Sequence, residues 1–200
     1  MADNKRGGTW LGLSESGRIA SLLNVLQPAA EKTNQQNVEG RGFLVVDYLR
    51  GQLTAETYMN KIVQSNKDYS LFNLVILEPG KEDGSDCCSI PYKLLFLNYV
   101  DKEVIHLDHG FHGFGNSFLS KPFLKVDQGK MKFEAIIKEI GLDVQNEDTL
   151  VSSLFKMMQD TTRYYPDKTI QEQGKGYPEE YLKSISSINI KIPNINYGTR

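Results

Sequence analysis

Thr9-Trp-Leu-Gly-Leu13, Ser14-Glu-Ser-Gly17 and Arg18-Ile-Ala-Ser-Leu-Leu-Asn24 form the stretch on which the fold turns. Trp, Leu and Ile suit a half-buried pleat, and the polar link ending in Gly17 reverses the chain, so this stretch predicts an antiparallel hairpin. Further along, Phe72 to Leu77, Tyr92 to Tyr99 and Glu103 to Leu107 are short apolar runs. The first stops at Glu78-Pro-Gly80, and a loop from Lys81 to Asp86 precedes the second. Runs of this length bounded by turn residues predict a strand meander beside the hairpin. Ile188, Ile190 and Ile192 alternate with Asn189 and Lys191 before Pro193, the period of one more strand.

Helical spacing governs the rest. After a polar loop over Thr33 to Glu39, Phe43, Val46 and Leu49 recur on one stripe, widened by Leu44, Val45 and Tyr48. Thr54 is placed to cap a second helix, with Tyr58, Met59, Ile62 and Val63 on its apolar face. Phe133, Ile136, Ile137 and Ile140 mark a helix over Met131 to Ile140, with Gly141 at the left-handed cap position, and Leu150 to Met158 repeats the pattern. Strands and helices thus fall in blocks instead of strict alternation, which predicts an α+β domain with a mainly antiparallel sheet covered by helices.

The bulk numbers narrow the function. At 200 residues and 40% hydrophobic, a single domain over residues 1–200 is expected. A formal net charge of −2 with no basic stripe excludes nucleic acid as a partner. No run approaches the roughly 18 to 20 apolar residues of a membrane span, and no apolar segment follows the polar start at Met1, so a cytoplasmic protein is expected. The two cysteines, Cys87 and Cys88, are adjacent and give no disulfide framework. With no Lys, Arg or His in their loop to lower a thiol pKa, they read as inert.

Four ordered stretches carry a family resemblance: Gly7-Gly-Thr-Trp-Leu-Gly-Leu13, Gly17 to Pro28, Phe72-Asn-Leu-Val-Ile76 and Tyr197-Gly-Thr-Arg200. With Arg41-Gly42, Gly113 to Asn116 and Gln171-Glu-Gln-Gly174 between them, they resemble the transport and Golgi organization protein 2 family, also called NRDE proteins. The resemblance implies an N-terminal nucleophile hydrolase-like αββα sandwich, two antiparallel sheets between helical layers. Members of that family usually begin Met-Cys and carry an Asn-Arg-Asp-Glu tetrad, whereas Ala2 follows Met1 here. The expectation is therefore a domain without its nucleophile strand and without the strand that follows Arg200, and with no catalytic residue.

Function follows from the same resemblance. It implies a cytoplasmic factor supporting Golgi organisation and protein secretion, associated with the Golgi and mitochondria, with unidentified protein partners in the secretory pathway. No resident cofactor is expected, but haem or an acyl-lipid such as acyl-CoA is the implied ligand, a small apolar or amphipathic molecule. The alternative is the remnant of an N-terminal cysteine amidohydrolase, an enzyme class in which asparagine side chains hold the oxyanion.

Asn24 and Asn116 match such asparagines by the resemblance, and Arg200 a cavity arginine, with Trp10 and Phe114 as apolar lining. Asparagine also closes turns by satisfying its own backbone, which needs no ligand. His106, His109 and His112 lie in one window with Asp108, a spacing open both to haem or metal ligation and to a surface loop. Glu31, Glu39, Glu179 and Glu180 read as solvated surface, since none is paired against an apolar wall.

Overall fold

The structure, a computed structural model, describes residues 7–33, 38–80 and 92–192. Its contacts group into two compact units: Met1–Val25 with Thr33–His109, and Leu26–Lys32 with Gly110–Arg200.

The first unit is a five-stranded antiparallel sheet in the order β1-β2-β3-β4-β5: β1 Leu11–Leu13, β2 Ile19–Asn24, β3 Phe72–Pro79, β4 Tyr92–Asn98 and β5 Glu103–Leu107. Neighbouring strands are consecutive in sequence, so the expected hairpin and meander are one continuous ladder, with Leu13 opposite Ile19, Ala20 opposite Ile76 and Leu95 opposite His106. The period of two sends Ala20, Leu22, Phe72, Leu74, Ile76, Leu95 and Leu97 to one face, all buried. Helices α2 (Gly42–Arg50) and α3 (Ala55–Gln64) complete that core with Val45, Tyr48, Met59 and Ile62. Asn73, Val75, Phe96 and Asn98 point to the opposite face and are buried as well.

Thr54 caps α3 as the sequence predicts, its hydroxyl accepting from the Thr57 N–H at 3.3 Å. In α2 the buried face is Leu44, Val45 and Tyr48, the expected flank of the stripe, while Leu49 packs at its edge and Phe43 is exposed. A Cβ on Gly8 would lie 2.8 Å from the Gly42 backbone, and the Thr9 N–H donates to the Gly42 carbonyl at 3.1 Å, which fixes where α2 begins against the first hairpin.

The second unit is helical. It comprises α4 (Leu124–Ile140), a 3-10 turn at Val144–Asn146, α5 (Glu147–Met158), α6 (Lys168–Gln173) and α7 (Glu179–Ile185), with most of the short α1 (Ala29–Thr33). Gly141 ends α4 with a positive φ of 78° but an extended ψ of −178°, so the glycine stop is present without the left-handed cap expected there, and α4 begins seven residues before Met131, the expected start. Phe123, Ile170, Leu182 and Ile185 form its core, joined by Leu26, Val126, Ile190 and Ile192.

The alternating Ile188–Ile192 segment is not a strand: bends lead to a single bridge position at Lys191. The Ser187 hydroxyl donates to the Asn189 carbonyl at 2.7 Å, and the Asn189 N–H to the Asp160 carbonyl at 2.8 Å. Those bonds occupy groups a ladder would use, while Ile190 and Ile192 keep their apolar packing.

The α+β class holds on the single five-stranded sheet; the second sheet of the implied sandwich is not among the described residues.

Candidate functional site

On the first unit, three part-buried polar groups tie the sheet to its helices. Glu78, at the end of β3, accepts from the Ala55 N–H at 3.1 Å, the first residue of α3, and from the Tyr48 hydroxyl at 3.4 Å. A carboxylate there meets both the orphan N–H groups and the positive end of the helix dipole. Arg18 on the hairpin lies 3.9 Å from Glu78, donates to the Gly51 carbonyl at 2.9 Å, and stacks over the Tyr48 ring at 5.1 Å. Burial, then the Glu78 charge, pushes the Tyr48 hydroxyl far above its usual range, so the phenol stays neutral.

Next to this network α2, α3 and the segments that follow them line a half-open cleft of about 350 Å³. Its apolar surface comes from Leu44, Tyr48, Leu53, Tyr58, Ile62 and Tyr69, and its charges from Asp47, Lys61 and Lys67. The Tyr58 hydroxyl donates inward to the Leu44 carbonyl at 2.7 Å. Burial chiefly, with the charge of Asp47 next, raises that phenol.

The residues singled out by sequence are distributed along both units. Trp10 is half exposed, and its carbonyl accepts from the Leu22 N–H at 2.8 Å, placing it across from a residue two before Asn24. Asn24 ends β2 opposite Phe72, with its side-chain oxygen shut off from solvent. In the second unit the Asn116 carbonyl accepts from the Leu26 N–H at 2.8 Å, and Phe114 stacks with His112 at 6.3 Å between ring centroids.

His106 sits on β5 with Nε2 3.5 Å from the Glu56 carboxylate, both side chains more than half exposed. His109 follows in an exposed bend. Among the described residues no three His, Cys, Asp or Glu side chains gather into a set that holds a metal ion. Arg200, Cys87 and Cys88 lie outside the described residues. No described helix is long and apolar enough to cross a membrane.

The second unit holds two polar centres that sequence reasoning passed over. Asp167, 2% exposed, accepts from the Ile170 N–H at 3.1 Å and the Leu124 N–H at 2.7 Å, capping α6 and α4 together. Beside it Lys125 donates to the carbonyl of Ile185, the last residue of α7, at 2.7 Å. Lys132 and Tyr164 both bond Asp160, whose carboxyl is held well below the usual range, chiefly by the Lys132 ammonium. Only Asp167 was legible: an Asp three residues before buried Ile170 is a helix-start pattern.

Comparison with known proteins gives one consistent result. The family model described as Transport and Golgi organisation 2 matches residues 1–200. The Transport and Golgi organization protein 2 homolog of Bos taurus is 32% identical over 201 residues, covering 100% of this chain and 67% of its own length. The human homolog is 30% identical over the same span, and Transport and Golgi organization protein 2 of Drosophila melanogaster 29% over 207 residues.

Proposed function

Because the chain belongs to the Transport and Golgi organisation 2 family, we propose that it supports Golgi organisation and protein secretion from the cytoplasm, through a small amphipathic ligand of the haem or acyl-CoA class. The observation that carries the reading is the unbroken match of all 200 residues to that family, with relatives from insect to mammal named for the same process. Two of the family stretches far apart in sequence serve one contact, since Gly8 and Gly42 meet where α2 joins the hairpin.

In physical terms the ligand is held by apolar side chains with a few polar anchors, the usual make-up of a small-molecule site. On the hairpin, Trp10 supplies the apolar side chain and Asn24 the polar anchor. The exposed imidazoles of His106, His109 and His112 are the groups that distinguish haem from an acyl ligand, since only haem iron takes an axial nitrogen.

The test is removal of the chain from the cells that make it, with Golgi morphology and the release rate of a secreted reporter as readouts. Dispersed Golgi and slower release, both restored by returning the chain, are expected. Unchanged morphology and release would overturn the proposal.

A further inference from the structure

The geometry points to the α2–α3 cleft as a binding site for a small amphipathic anion, a carboxylate carrying a single apolar chain or ring. The inference goes beyond the Golgi proposal and uses different residues.

Size sets the class first. Ligand sites span roughly 300 to 1,000 Å³, so a cleft of about 350 Å³ takes one chain or one ring and not a macrocycle. Its lining is mostly carbon. Leu44 and Ile62 are 5% exposed, and Tyr48 and Tyr58 turn their hydroxyls inward, to Glu78 and to the Leu44 carbonyl. A ligand lying against these rings meets few donors, so its body is apolar and its polar group stays among the charged side chains.

Charge then sets the sign of that polar group. Lys61 and Lys67 are exposed, line the cleft, and form no ion pair among the described residues. Asp47 is the single carboxylate of the lining and bears on the Tyr58 phenol, while Glu39, outside the lining, bears on Tyr69 ahead of Asp47. Within the lining itself, two ammonium groups stand against one carboxylate, which favours an anion. Lysine suits such a role because its stem lies along apolar surface while its head stays in water.

The experiment is an amide NMR titration of the full chain with octanoate, and with octanol and octyltrimethylammonium as neutral and cationic counterparts. Saturable shifts on α2 and α3 are expected, with octanoate bound about tenfold tighter than octanol. Changing Lys61→Gln and Lys67→Gln together should weaken octanoate roughly fivefold to tenfold, the scale of two solvent-exposed charge contacts, and leave octanol unchanged. Added salt should act in the same direction as the double variant. Octanol binding as tightly as octanoate, the cation binding more tightly, shifts confined to other elements, or no saturation would each overturn the assignment. A failure here leaves the Golgi and secretion readouts where they stand, because those depend on the chain being present in cells and not on octanoate.

Discussion

Asp167 accepts the backbone N–H of Leu124 at 2.7 Å across 43 residues of sequence, and with its other oxygen it caps its own helix at Ile170. One buried carboxylate therefore starts both α4 and α6. Each cap contributes about 1 kcal/mol, and leaving two buried donors without an acceptor adds to the loss. Asp167→Ala should lower the unfolding free energy of the second unit by about 2–4 kcal/mol in a urea titration, with Asp167→Asn losing less. A change below about 0.5 kcal/mol would contradict the double-cap role.

Lys125 gives the second unit a pH dependence of unusual sign. Burial lowers its ammonium from the ordinary 10.5 to about 8, against the pull of nearby Asp167. Below pH 8 folded and unfolded chains both carry the proton, and the cost of burying it is present in full. Between about 8 and 10.5 the unfolded chain holds the proton and the folded chain does not, so rising pH favours the fold. Stability of the second unit should rise by about 1–2 kcal/mol from pH 7.5 to 9.5, and Lys125→Met should abolish the rise. Measurement stops at 9.5, before tyrosine of the unfolded chain ionises and adds its own pH dependence.

Gly8 is fixed by space. A methyl group there would meet the Gly42 backbone at 2.8 Å, and backbone does not yield as a side-chain tip does. Gly8→Ala should cost about 1–3 kcal/mol, the range for overpacked contacts, and lower the melting temperature. A neutral result would mean that α2 slides freely on the hairpin.

Glu78 couples three elements through one carboxylate. Glu78→Ala removes the acceptor for the Ala55 N–H and the Tyr48 hydroxyl, and should cost about 1–3 kcal/mol in denaturant unfolding. A double-mutant cycle with Arg18→Met measures the direct pair, expected at about 0.5–1 kcal/mol because the ions lie 3.9 Å apart.

Local pattern explains what the sequence could reveal. The hairpin, the meander, α3 with its Thr54 cap and the Gly141 stop were readable because each rests on a period or a cap within a few residues. The seating of the start of α2 was not, since the Gly8–Gly42 approach joins residues 34 positions apart. The helices α6 and α7 are six and seven residues long and owe their place to Asp167 and to buried Ile170, Leu182 and Ile185, not to a long amphipathic run. The Ile188–Ile192 alternation was real as packing and misleading as backbone. The cleft could not be seen in advance, because its lining comes from two helices and the segment after them, and only tertiary structure brings those together.

The most direct test of the ligand account is a paired titration of the folded chain with haem and with an acyl-CoA, repeated on a variant with His106, His109 and His112 changed to Ala. Saturable binding of at least one is expected, with haem lost in the triple variant if the imidazoles ligate iron and acyl-CoA retained in it. A folded sample that binds neither would contradict the proposal that the chain works through a small amphipathic ligand.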